Sequence, residues 1–335
     1  MKEHSGLSVE EIRRDVLPDK RPAVLRGLVR DWRAVREFSN SAASLVRYLK
    51  QLDSGAPVSA LMTPPELNGQ IGYNAAMDGF NFHRNRLSLS EIAEQVLRYA
   101  QFPNPPAVAA QSALIRDCLP AFAAQNALTL FDARILPRIW LGNRITTPAH
   151  VDESNNVACV VAGRRRFTLF PPEQIANLYI GPLDFAPTGA AMSMVSLRDP
   201  DFTRYPKFRD ALPAAQVAVL EAGDSIFIPP LWWHHVESLE PFNVLVNYWW
   251  DDPLGAGADA KLDSAFDALL HGILSIRALP PESRGAWRAF FEQYVFGASG
   301  DSIEHIPRER RGILGELSPE QANALRAHLV KKLTR

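Results

Sequence analysis

From about Arg134 to Trp250 the chain stops spacing its apolar residues for helices and sets them out in short extended runs closed by glycine or proline. No other feature limits the available folds so sharply. Ile135, Leu136, Ile139 and Trp140 open the region. Val157-Ala158-Cys159-Val160-Val161 and Phe167-Thr168-Leu169-Phe170 then flank Ala162-Gly163-Arg164, and Gln216 to Leu220, Ser225 to Ile228 and Asn243 to Tyr248 follow, with Gly223-Asp224 as a turn. The spacing predicts a hairpin across Gly163 and, for the whole region, an antiparallel sandwich or barrel such as a jelly roll. Helices flank it. Ser8-Val9-Glu10-Glu11 and Ser88-Leu89-Ser90-Glu91 are capping boxes, and Pro22 to Gly27 reads as a short strand with a turn. After Asp252, helices are predicted from Leu262 to Leu274, Pro281 to Tyr294 and Ser318 to Leu333. The fold class is therefore mainly β with flanking helices.

Inside the extended region, His150-Val151-Asp152 is followed at long range by Trp232-Trp233-His234-His235-Val236. On a strand, residues i and i+2 share a face, so His150 and Asp152 can grip one ion together. A third ligand from a distant strand completes a 2-His-1-carboxylate set, which leaves positions open for reactants. That is the arrangement of a catalytic site, since structural sites are usually closed. Spacing does not choose between His234 and His235, which face opposite ways on a regular strand. Trp232, Trp233, Trp249 and Trp250 read as aromatic core and pocket wall.

Composition removes other classes. At 335 residues, 47% hydrophobic and 22% charged, the chain can bury a sizeable core in one large domain or two modest ones. A net charge of −1 without extended Lys/Arg runs argues against nucleic acid as a partner. There is no run of about 18 apolar residues, so no membrane role is expected. Met1-Lys2-Glu3-His4-Ser5 lacks the regions of a signal peptide, which makes a cytoplasmic location the expectation. Cys118 and Cys159 are too few for a disulfide framework and are expected as buried thiols.

Several ordered motifs together resemble the cupin-like JmjC-type oxygenases, the group that includes the hypoxia-inducible-factor asparaginyl hydroxylase. They are Thr147-Pro148-Ala149-His150-Val151-Asp152-Glu153, the Val161 to Phe167 turn with Leu169-Phe170-Pro171-Pro172, Asp199-Pro200-Asp201-Phe202, Tyr205-Pro206-Lys207-Phe208, and Gly223 to His235. The similarity is clear from about Thr146 to Trp250, and Pro22 to Trp32 resembles the family's N-terminal strand and turn. It implies a double-stranded β-helix (jelly roll, cupin/JmjC) core at about 134–252, within a catalytic domain at 1–255 with N-terminal α/β elements. A C-terminal helical region at 256–335 would follow, a candidate homodimer face on which Leu262, Phe266, Leu269 and Leu270 are spaced for one apolar stripe.

The resemblance implies an Fe(II)- and 2-oxoglutarate-dependent dioxygenase that hydroxylates a protein or peptide, or failing that a small molecule, with release of succinate and CO2. His150, Asp152 and His234 match the iron ligands, which selects the first histidine of the pair. Thr147, Asn156 and Asn247 match positions near the cosubstrate. Arg165 stands where relatives commonly carry a lysine for the far carboxylate of 2-oxoglutarate, and its planar fork keeps the charge but not the geometry. A tyrosine that some relatives bring to that carboxylate is replaced near Ala109, ahead of Gln111. Two other classes stay open: a non-catalytic cupin-like module that binds a ligand or peptide, and a Zn- or Mn-dependent cupin enzyme such as an isomerase or hydrolase.

Overall fold

Along Asn155–Ala162 every side chain is buried, although successive ones point to opposite faces, so the segment must be covered from both sides. The computed structural model, which describes residues 1–187, 189–251, 256–257, 264–297, 303–315 and 317–334, shows what covers it. The chain divides into two compact units, Met1–Lys261 and Leu262–Arg335.

The first unit holds strands β1 (Lys2–Ser5), β2 (Ala23–Arg26), β3 (Val58–Thr63), β4 (His83–Leu87), β5 (Ala107–Leu114), β6 (Arg138–Gly142), β7 (Thr146–His150), β8 (Asn155–Ala162), β9 (Arg165–Phe170), β10 (Gln216–Leu220), β11 (Ser225–Ile228), β12 (Trp233–Ser238), β13 (Asn243–Asp251) and β14 (Ala256–Gly257). They form a ten-stranded sheet, ordered β1-β2-β11-β8-β13-β6-β5-β3-β4 with β14 beside β13, and a four-stranded sheet, ordered β10-β9-β12-β7. Apart from the parallel pair β1–β2, the ladders between these strands are antiparallel.

Alternation along β8 then sorts two cores. Ala158 and Val160 meet Phe167, Leu169, Leu220, Ile226, Ile228 and Leu245 between the two sheets. Val157, Cys159 and Val161 face the other way, into a larger cluster with Phe227, Val244, Val246 and Trp250. Helices α1 (Val9–Glu11), α2 (Arg33–Asn40), α3 (Ala42–Leu52), α4 (Leu89–Tyr99) and α5 (Ile115–Cys118) belong to that outer layer. In α4 the capping box of Ser88 and Glu91 sets the start, and Leu89, Ile92, Ala93 and Val96 form one buried stripe. Leu89, Ile92 and Val96 each contribute about 1.5–3 kcal/mol by leaving water. On the outer face of the small sheet, Phe170 and Trp233 are covered by Leu178, Val195 and, from α6 (Phe208–Ala211), Phe208.

The jelly-roll class expected from the sequence is the fold observed, but two details differ. The hairpin across Gly163 does not form, because β8 lies in the large sheet and β9 in the small one. Gly163 turns the corner between sheets with φ of +74°, and any side chain there would strike Asn243 Oδ1. The large sheet also draws β1 to β5 from the first third of the chain, so it extends well beyond 134–252. Cys118 and Cys159 are both free and buried.

The second unit contains α7 (Ala265–Ile276), α8 (Pro281–Phe291) and α9 (Pro319–Leu333), the last opened by a capping box of Ser318 and Gln321. Leu262, the first residue of the expected stripe, lies outside the described residues, while Leu269 and Leu270 are exposed. Among the described residues, no helix is long and apolar enough to cross a membrane.

Candidate metal centre

Strands β7 and β12 lie side by side with His150 opposite His234 and Thr147 opposite Val236. From one pair to the other β12 advances two residues and β7 three, so β7 carries a bulge. On a regular strand Thr147 and His150 would face opposite sides; the bulge lets both face inward. Asp152 follows just past β7, where its carbonyl accepts the backbone N–H of Leu231 at 2.9 Å. Leu231 itself sits in the left-handed region at φ of +62°, a cost that a non-glycine residue bears where the surroundings fix it. That bond ties the loop carrying the carboxylate to the loop that leads into the strand of the second histidine.

The two imidazoles are oriented alike. His150 Nδ1 lies 2.9 Å from the Pro148 carbonyl and His234 Nδ1 lies 2.9 Å from the Trp232 carbonyl. A carbonyl oxygen only accepts, so each Nδ1 carries the proton and each Nε2 keeps a free lone pair. Burial first, and then the neighbouring His234, push the His150 pKa well below the ordinary imidazole range, which favours the neutral ligand form. The ring centroids are 4.1 Å apart and His234 Nε2 lies 3.5 Å from Asp152 Oδ2. All three potential ligand atoms fall within 4.8 Å of one another, close enough for one ion.

Asp152 is held from the large sheet. Its Oδ2 accepts from Trp249 Nε1 at 3.0 Å and from Asn156 Nδ2 at 3.2 Å. Behind it, Asn247 Nδ2 donates to Asn156 Oδ1 at 3.3 Å, and Trp140 Nε1 donates to Asn247 Oδ1 at 2.9 Å. An indole N–H can only donate, so Trp140 fixes which way the Asn247 amide points, Asn247 fixes Asn156, and Asn156 presents its N–H groups to the carboxylate. His235 lies on the opposite face of β12 from His234. It is equally buried, its Nδ1 has no hydrogen-bond partner, and burial pushes its pKa down to about 4.

Arg165 projects from β9 on the same face as Phe167 and Leu169, between the sheets. Its guanidinium is buried, Nε has no hydrogen-bond partner, and among the described residues no carboxylate pairs with it. Burial alone lowers its pKa to about 10. Arg165 and Thr147 line one cavity together with Gln111, Trp140, Val236 and Ser238.

A family model for the cupin-like domain matches residues 9–255. The chain belongs to the cupin-like domain family. Curated relatives of this cupin-like chain include the lysine-specific demethylase JMJ31 of Arabidopsis thaliana, 27% identical over 73% of the chain and 48% of that protein. HSPB1-associated protein 1 of Homo sapiens is 33% identical over 44% of the chain and 30% of that protein. The bifunctional peptidase and (3S)-lysyl hydroxylase JMJD7 of Homo sapiens is 26% identical over 71% of the chain and 79% of that protein. The chain thus spans half or less of the first two relatives, and the JmjC-type relationship expected from the motifs holds.

Within this cupin-like domain the sequence residues sort into three groups. His150, Asp152 and His234 converge; Thr147 and Arg165 share a cavity; Asn156 and Asn247 form the relay behind Asp152. The indole of Trp249, expected as core or pocket wall, donates to Asp152, and that of Trp140 donates to Asn247 in the relay. Trp249 lies two residues beyond Asn247 on β13, and that same-face spacing was the available signal.

Proposed function

We propose that this chain is an Fe(II)- and 2-oxoglutarate-dependent dioxygenase that hydroxylates a side chain of a protein or peptide. The observation that carries the reading is Arg165: a buried guanidinium without an acid partner, on the inner face of the small sheet that also bears His150 and His234. An unpaired buried cation is costly, so this position calls for an anion that none of the described residues supplies. A dicarboxylate oxo acid that chelates a metal at one end and meets Arg165 at the other fits both halves of the site.

In this reading His150, Asp152 and His234 hold Fe(II), while Arg165 and Thr147 hold the far carboxylate. Asn156 and Asn247 line the cosubstrate side and keep Asp152 aimed at the metal. When bound, metal and cosubstrate supply the oxidation: one oxygen atom of O2 goes to succinate, formed with CO2 from 2-oxoglutarate, and the other to a substrate C–H bond. The chain's own work is to fix both imidazoles as Nε2 donors, to hold the carboxylate in place by two donated hydrogen bonds, and to exclude water.

The relatives named for lysine demethylation and lysyl hydroxylation support a protein substrate over a small metabolite. The exposed Leu269, Leu270, Leu274, Trp287 and Phe290 of the second unit fit a homodimer face, and two free buried cysteines fit a cytoplasmic setting. A Zn- or Mn-dependent cupin enzyme or a non-catalytic module would leave the Arg165 berth without a task.

The deciding experiment is an anaerobic titration of the full chain with Fe(II) and 2-oxoglutarate, followed by admission of O2. A visible metal-to-ligand charge-transfer band and stoichiometric succinate are expected. Absence of both overturns the assignment.

A further inference from the structure

Apart from the metal centre, the first unit holds a second cleft, of about 550 Å³. Three segments wall it: the turn at Asn68 and Gly69, the run from Tyr99 to Ala107, and the end of β12 with the turn from Leu239 to Pro241. His150, Asp152, His234 and Arg165 are not among its lining residues.

The walls are pinned to the β-sheets. The Gly69 carbonyl accepts the Thr146 N–H at 2.9 Å, and with φ of +74° and the Arg144 carbonyl against it, Gly69 leaves no room for a side chain. Asn143 clamps the second wall, its Oδ1 accepting from the Val108 N–H and its Nδ2 donating to the Pro106 carbonyl, both at 2.9 Å. In that wall Pro103, Pro105 and Pro106 have φ fixed by their rings. The Ser238 N–H, in the third, donates to the Ile145 carbonyl at 2.8 Å. The cleft is therefore formed before anything enters it, and its volume suits a small molecule.

Its charge is one-sided. Arg144 and Arg198 both line it, and the acid beside them, Glu237, is already held through Oε2 by Arg166 Nη1 at 3.1 Å. Arg198 meets only neutral oxygens, the Asn68 carbonyl at 3.5 Å and the Thr146 hydroxyl at 3.3 Å, both long for a charged donor. Arg144 is exposed, and among the described residues no acid pairs with it. Much of the remaining lining is apolar, from Phe102, Pro103, Pro105, Leu239 and Pro241. Phe102 stands edge-on to Tyr99, ring centroids 6.4 Å apart, yet stays 56% exposed. A ring fixed by its neighbour offers contact area at little entropic cost.

We propose that this cleft binds a small organic anion, with the acidic head on Arg144 and Arg198 and a flat apolar body against Phe102 and the prolines. The site is separate from the berth at Arg165 and independent of the dioxygenase reading.

The test is a calorimetric titration of the full chain, without iron or oxo acid, with 2-naphthoate and with its neutral counterpart 2-naphthamide. Naphthoate should bind saturably, about tenfold tighter than the amide. Arg144→Met should weaken naphthoate about tenfold and leave the amide within twofold, whereas Phe102→Ala should weaken both about fivefold. Both side chains lie at the surface, so neither variant should lower the melting temperature. Arg165→Met should leave naphthoate within twofold. Absence of saturable binding, equal affinity for acid and amide, or unchanged naphthoate affinity in Arg144→Met overturns the inference. So does loss of naphthoate binding in Arg165→Met, which would put the probe in the Arg165 berth.

Discussion

The two sheets of the first unit divide the labour unequally. The four-stranded sheet carries the groups assigned to the chemistry: His150 at the end of β7, His234 on β12, Arg165 on β9 and Thr147 on β7. None of the three clustered groups, His150, Asp152 and His234, lies on the ten-stranded sheet. It supplies Asn156, Asn247, Trp249 and Trp140, whose hydrogen bonds hold Asp152 from behind, and its outer face is bolted to the helices. A narrow sheet aims the reacting groups, and a wide one keeps them from moving.

The sharpest way to break this division is Asp152→Ala, which removes a proposed ligand that belongs to neither core. Succinate formation should fall by about a thousandfold or more, roughly 4 kcal/mol in transition-state terms, with the melting temperature little changed. A coupled succinate assay beside thermal unfolding checks both halves. Phe227→Ala attacks the other side, deleting a fully buried ring that stacks on Trp250 at 5.9 Å. It should cost about 3–5 kcal/mol of stability in urea unfolding, while folded protein keeps its cosubstrate affinity.

Arg165→Met sharpens the comparison from within the small sheet. Affinity for 2-oxoglutarate should drop about a hundredfold by loss of a bidentate charged contact, yet the cosubstrate-free protein should melt higher, because an unpaired buried cation is gone. Trp249→Phe tests the support instead of the ligand: loss of one donor to Asp152 should weaken Fe(II) binding about tenfold in a chelator competition. Smallest of all should be His235→Phe, within about threefold of wild-type turnover, since this histidine points away from the ligands; a larger loss would mean that the small sheet's outer face joins the chemistry.

Much of this could be read from the residues. β10 and β11 fall where short apolar runs closed by glycine or proline put them, and the three converging side chains were visible as a same-face pair plus a distant histidine. The choice of His234 over His235 needed the strand's facing, which spacing leaves open. The turn at Gly163 was misread because a sheet-crossing corner and a hairpin both call for a left-handed glycine; only the packing against Asn243 tells them apart. β5 went unread because Ala-Val-Ala-Ala-Gln-Ser-Ala-Leu holds a single β-branched residue and no aromatic, and so lacks the residues that mark a strand. The relay behind Asp152 was hidden for a different reason: its members come from β6, β8 and β13 and are contiguous only in space.

The bulge in β7 has a genetic meaning. It places His150 and Thr147, the proposed metal ligand and the proposed cosubstrate contact, on one face by spending a single additional residue, so the two roles are joined by a length of chain rather than by a contact. Loss of one codon between Thr147 and His150 would keep the histidine opposite His234 and turn the threonine outward. The descendant would still bind a metal but would lose part of its grip on the oxo acid, so a one-residue deletion is a short route from oxygenase to plain metal-binding barrel.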